Sequence, residues 1–168
     1  LGYEQPIWIH APVILGPDGG KLSKRHGAKF VLEYAEEGYL PDALVNFLSI
    51  TGWALDDHTE IFTRERLIEV FDLKDLSKNP SGFDTTKLEW MNGVYIRNMS
   101  EDDLMMELLP FMERLEAEGG LPDSVKRPID RDYMKRLLPL VHERLKLLTE
   151  GTDTLDFFFA DNVNPAAE

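Results

Sequence analysis

At 168 residues and 43% hydrophobic side chains the chain can build one ordinary domain or two small ones. It has no cysteine, which excludes disulfide staples and thiolate metal sites. No apolar run approaches the roughly 18 residues of a membrane span, and no basic-then-apolar leader opens the chain, so a soluble, cytoplasmic protein is expected. The formal net charge of −13 opposes phosphate-rich partners, but it is uneven. Residues 1–30 balance at +2, from Lys21, Lys24, Arg25 and Lys29 against Glu4 and Asp18, leaving −15 for the other 138 residues.

Ile7, Trp8 and Ile9 lead into Ala11–Leu15, an apolar stretch too short for a helix and rich in strand formers, so a strand is expected there. Gly16-Pro17-Asp18-Gly19-Gly20 reads as a turn, because Pro17 presets its φ and the glycines allow positive φ. The lysine cluster 21–29 follows. From Phe30 the period becomes helical: Phe30, Leu32 and Tyr34 begin a short helix that Gly38 ends. Pro41 sits at a first helical position, with Leu44, Val45, Phe47 and Leu48 as its buried stripe and Gly52 as its stop. Thr63 caps a third helix carrying Leu67, Ile68 and Phe71. Residues 73–83 read as a loop, marked by Asn79-Pro80-Ser81-Gly82.

Asp84 precedes a helix that places Leu88, Met91 and Tyr95 on one face. Ser100 opens another with Glu101, Asp102 and Asp103 in its first turn, where acids suit the positive helix end. Gly119–Pro122 closes it. A long helix is expected over Asp130–Leu148, kinked or broken at Pro139. A short last helix over Thr152–Ala160 and a tail over Asn162–Glu168 complete the chain.

The sharpest chemical signal is Lys21-Leu22-Ser23-Lys24-Arg25. Two ammonium groups three residues apart, with a hydroxyl between, can close on a polyphosphate from a mobile loop. The plain alternative is a solvated basic turn. A P-loop is excluded, since Leu22 stands where Ser or Thr must bind magnesium and Leu15 where the first glycine belongs. His10, His26, His58 and His142 are too scattered for a metal site, and Asp56-Asp57-His58 reads as a loop.

Three blocks carry a resemblance. Lys21–Arg25 resembles the KMSKS loop of class I aminoacyl-tRNA synthetases, in the KLSKR form of the glutamyl branch, and His10–Leu15 looks like the strand leading into it. Gly38-Tyr39-Leu40-Pro41-Asp42-Ala43-Leu44-Val45-Asn46-Phe47-Leu48, with Gly52-Trp53, is similar to a second family segment. Phe83-Asp84 and Lys87-Leu88-Glu89-Trp90-Met91-Asn92-Gly93-Val94-Tyr95-Ile96-Arg97 match a third. The resemblance covers residues 1–100 closely; beyond that only helical character is shared.

It implies a mainly α chain: the tail of a Rossmann-type α/β catalytic domain over 1–27, a helical stem-contact region over 28–98, and the first part of a helical anticodon-binding bundle over 99–168. It implies ATP-dependent charging of tRNA(Glu) with glutamate through a glutamyl-adenylate, with Mg2+ accompanying ATP, no metal held by this chain, and a monomeric parent enzyme. Lys24 would stabilise the ATP phosphates with Lys21 assisting; Leu22, Ser23 and Arg25 complete the ATP-binding loop. Lys87 and Arg97 would contact tRNA phosphates, while Trp90, Met91 and Tyr95 read as helix core. The HIGH signature and the glutamate pocket would precede residue 1, and a second anticodon subdomain would follow residue 160. These residues alone are therefore expected to be a fragment without activity. The rival expectation is a non-catalytic helical RNA- or protein-binding module that keeps the lysine loop as a relic.

Overall fold

A computed structural model describes residues 2–26 and 29–159. By packing, these fall into two units: residues 2–26 and 29 with 45–85, and residues 30–44 with 86–159. The boundary expected at 27/28, the last residue of the helix expected over Thr152–Ala160, and the tail expected over Asn162–Glu168 lie outside the described residues.

In the first unit the glycine turn and the lysines form a small hairpin. Strand β1, Ile14–Leu15, runs into the turn, and Leu15 bridges back to Lys21. The Leu22 N–H donates to the Ile14 carbonyl at 2.8 Å, and the Gly16 N–H to the Gly20 carbonyl at 2.8 Å. The expected strand over residues 7–15 is thus cut to two residues. Residues 2–13 carry no helix or strand, with Ile7 and Trp8 exposed. A lone extended segment without a neighbour to pair with gains too little to hold a strand. The stretch read as a loop holds a strand of its own: β2, Ser81–Gly82, pairs in parallel with β1, Ile14 opposite Ser81 and Leu15 opposite Gly82.

The core of this unit is aromatic. Trp53 and Phe62 lie with ring centroids 5.7 Å apart, joined by Leu67 from helix α3, Arg64–Val70. Thr63 caps α3 as expected, accepting the Arg66 N–H at 3.2 Å. The buried Asn46 binds the 60–62 segment through its amide: Oδ1 accepts the Phe62 N–H at 2.8 Å, and Nδ2 donates to the Glu60 carbonyl at 3.0 Å. Asn46 lies on α2, Pro41–Ile50, whose buried stripe differs from expectation. Ala43, Leu44, Asn46 and Phe47 are buried, whereas Val45 and Leu48 are about half exposed. Helical spacing of three and four residues selects 43, 46 and 47 together and turns 45 and 48 away.

The second unit holds α1, Val31–Glu36, α4, Thr85–Arg97 from Thr86 on, α5, Glu101–Met112, α6, Arg131–Val141, and α7, Glu150–Phe159. Leu104, Leu108, Met112, Met134, Leu138 and Leu155 form its apolar centre. Ser100 and Asp130 cap α5 and α6 through their side-chain oxygens. Two helices stop earlier than expected. α5 ends at Met112, ahead of a 3-10 turn at Glu116–Glu118, and α6 ends at Val141 instead of 148. Pro139 lacks an N–H and crowds the preceding turn, and the chain leaves the helix two residues later. Arg127 turns inward and donates to the carbonyls of Leu121 at 2.6 Å and Arg114 at 2.9 Å. Among the described residues the fold is mainly helical, with one two-residue parallel strand pair, and no helix is long and apolar enough to cross a membrane.

Candidate nucleotide-binding loop and its supports

The lysine loop leaves the hairpin directly. Lys21 closes the bridge to Leu15, and Lys24–His26 form one 3-10 turn. The Asp18 carboxylate accepts the Gly20 N–H at 2.9 Å, and Gly19 takes the positive φ, 76°, that the tight reversal requires. Lys21, Ser23, Lys24 and Arg25 are exposed and Leu22 is half-buried. Four polar side chains thus face solvent around one apolar anchor, an arrangement that can present ammonium groups to an anion without desolvating them beforehand.

Lys87 and Arg97 lie on α4 in the other unit, both half-buried. Ten residues of helix separate them by about 15 Å along the axis and by roughly 80° around it, so they do not form one patch. Of the three side chains read as core, Met91 is fully buried and Tyr95 partly so, but Trp90 is 45% exposed. The helical period puts 88, 91, 92 and 96 inward and leaves 90 to one side. Burial raises the Tyr95 hydroxyl to about 12, with the Asp42 carboxylate adding to it. The Tyr39 hydroxyl also reaches about 12, by burial first and then the charges of Glu89 and Glu37. Asp56, in the Asp-Asp-His run, accepts the backbone N–H groups of Thr59 and His58 at 2.6 and 2.8 Å, which lower its carboxyl below the usual range. It is a turn former. Among the described residues no three His, Asp or Glu side chains are gathered as for a metal ion.

The residue that sequence reasoning passed over is Asn92. It is fully buried and joins three segments: its Oδ1 accepts the Leu40 N–H at 2.8 Å, and its Nδ2 donates to the carbonyls of Lys146 at 2.6 Å and Gly38 at 3.3 Å. Gly38, at φ 91°, leaves no room beside it, since a Cβ there would stand 2.6 Å from the Leu148 nitrogen. An amide among apolar neighbours on a helix face was the available signal, for a buried amide must find partners.

Residues 1–90 match the family model for the catalytic domain of class I tRNA synthetases (E and Q). The chain belongs to this family. Over 167 residues it is 47% identical to the glutamate–tRNA ligase of Dehalococcoides mccartyi strain CBDB1, covering 98% of this chain and 33% of that protein. With the ligase of Aquifex aeolicus it shares 45% over 163 residues, covering 96% of this chain and again 33% of the relative. Among solved structures, a glutamate tRNA ligase from Elizabethkingia meningosepticum in complex with its amino acid superposes at a TM-score of 0.76 and 28% identity, over 95% of this chain and 33% of that one. The glutamate-tRNA synthetase of Elizabethkingia anophelis gives the same TM-score at 26% identity, over 95% of this chain and 34% of that one. The chain therefore spans about a third of the synthetases it matches.

Proposed function

We propose that these residues work within a glutamate–tRNA ligase that activates glutamate with ATP and passes it to tRNA(Glu). In the first step the glutamate carboxylate attacks the α-phosphate, the bond to the bridging oxygen breaks, and pyrophosphate leaves with its charge. In the second, the adenylate's acyl group moves to the tRNA and AMP is released. Lys24, assisted by Lys21, meets the charge growing on the phosphates, the kind of contact that lowers a barrier because it strengthens only in the transition state. Leu22 anchors the loop, its backbone near the adenine; Ser23 supports the loop and Arg25 borders it. The observation that carries this reading is the pair of exposed lysines projecting from a hairpin whose turn is held by its own hydrogen bonds. Magnesium would arrive with the nucleotide; the described residues offer no ligand cluster of their own, and no step is assigned to it.

In the same reading, 1–27 closes the catalytic domain, 28–98 contacts the tRNA stem through Lys87 and Arg97, and 99–168 begins the anticodon-binding bundle. The parent is a cytoplasmic monomer. The test is glutamate-dependent exchange of pyrophosphate into ATP by a complete ligase carrying residues 1–168. Lys24→Ala is expected to slow it by about 10²-fold or more, the scale of one lost preorganised contact. A loss smaller than threefold would make this lysine a mere surface charge and favour a binding module with a relic loop. The 168 residues alone are expected to give no exchange, because they carry no HIGH signature and span about a third of the ligases they match; measurable turnover would refute that.

A further inference from the structure

The lysine hairpin is held to its unit through residues 81–83. On one side Leu15 of β1 faces the returning loop at Lys21; on the other it pairs with Gly82 of β2, and its carbonyl accepts the Phe83 N–H at 2.9 Å. Phe83 then turns its ring edge-on to Phe47, with centroids 5.1 Å apart and planes at 80°. Phe47 is 2% exposed, among the best-buried side chains of α2. One residue thus joins the loop's root, by its backbone, to the buried face of a helix, by its ring.

We propose that Phe83 is a positioning residue for the lysine loop, setting where Lys21 and Lys24 stand by clamping β1 to the Phe47 face of α2. This rests on the reading of that loop as the phosphate-binding element. The physical reason is the smallness of the sheet. Two paired residues supply few hydrogen bonds, and so short a strand pair is marginal by itself. The aromatic contact adds the burial that makes the pairing persist. Lysines on a root free to drift would still meet phosphate but seldom in the productive geometry, and misplacement by about 1 Å can cost up to 10²-fold in rate.

The test uses Phe83→Ala, Phe83→Tyr and, as control, Leu67→Ala, which weakens the same unit's core away from the hairpin. In the 168-residue chain, hydrogen exchange at the Gly16 and Leu22 amides is expected to quicken at least about tenfold in Phe83→Ala, little in Leu67→Ala, and to recover in Phe83→Tyr. In a complete ligase carrying these residues, Phe83→Ala is expected to lower kcat of pyrophosphate exchange about tenfold or more while KM for glutamate stays within twofold. Unchanged exchange at Gly16 and Leu22 overturns the proposal, and so does an equal kcat loss in Leu67→Ala. Should those amides quicken while Lys24→Ala leaves the rate intact, the phosphate role of the loop falls and the clamp stands.

Discussion

Asn92 and the two perturbed tyrosines show how much single side chains decide here. Replacing Asn92 by alanine would strand the Leu40 N–H and the Gly38 carbonyl in a buried place and leave the part-buried Lys146 carbonyl without this donor. At roughly 1 kcal/mol or more for each lost bond, urea unfolding of Asn92→Ala is expected to show a loss of about 3 kcal/mol; under 1 kcal/mol would mean that the three segments hold without it. Tyr39 and Tyr95 carry hydroxyls raised from 10.0 to about 12 by burial. Their neutral forms are favoured in the folded chain, so the stability they lend is complete below pH 10 and drains away as pH rises toward 12. Ultraviolet titration of the phenols should therefore show a late group near 12, and the double change Tyr39→Phe with Tyr95→Phe should flatten the alkaline loss of stability. A wild-type profile level from pH 9 to 12 would contradict this.

Among elements, the contrast is between the segment before β1 and helix α4. Residues 2–13 are largely exposed and form no regular element, whereas α4 buries Leu88, Met91, Asn92 and Ile96. Amides of α4 have a local hydrogen-bond ladder sealed by packing, and those of 7–13 have no ladder. Hydrogen exchange of the 168-residue chain is expected to show fast exchange over 7–13 and slow exchange over 88–96. Equal protection in a monomer would mean that the segment finds a partner within the chain. Much of this was legible in advance. Thr63 and Ser100 cap their helices where a hydroxyl stands before an apolar period, because that bond reaches only three residues.

For the whole molecule, charge governs what the proposed tRNA contact can be. At −13 the chain repels RNA at long range, so affinity must come from local bases: the lysine loop, Lys87, Arg97, the exposed Lys126, and the exposed Arg131 and Arg136 of α6. Arg127 and Lys135 are already engaged, the first by backbone carbonyls and the second by Asp102 at 2.7 Å. If about three to five phosphates are neutralised, affinity for tRNA should fall tenfold or more for each threefold rise in salt. Little preference between a glutamate tRNA and a mismatched one is expected, since phosphate contacts carry no base identity. A titration at two salt concentrations with both tRNAs checks this; tight, salt-insensitive, selective binding would place the recognition within these 168 residues.

The sequence by itself determined the local pieces: the glycine turn ahead of Lys21, the helix starts at Pro41, Arg64, Glu101 and Arg131, and the motif blocks that mark the synthetase family. Those depend on neighbours within a few positions and on residue types that backbone geometry demands. Only the tertiary structure decided which side of α2 is buried, that Ser81–Gly82 pairs with β1, that Trp90 faces outward, and that Asn92 holds three segments. The partners of Asn92 at Leu40, Gly38 and Lys146 lie 52 to 54 residues away. No period of 2 or 3.6 residues encodes which distant backbone group a buried amide will meet. That choice is made when the two apolar faces close and every buried donor and acceptor must find a partner at once.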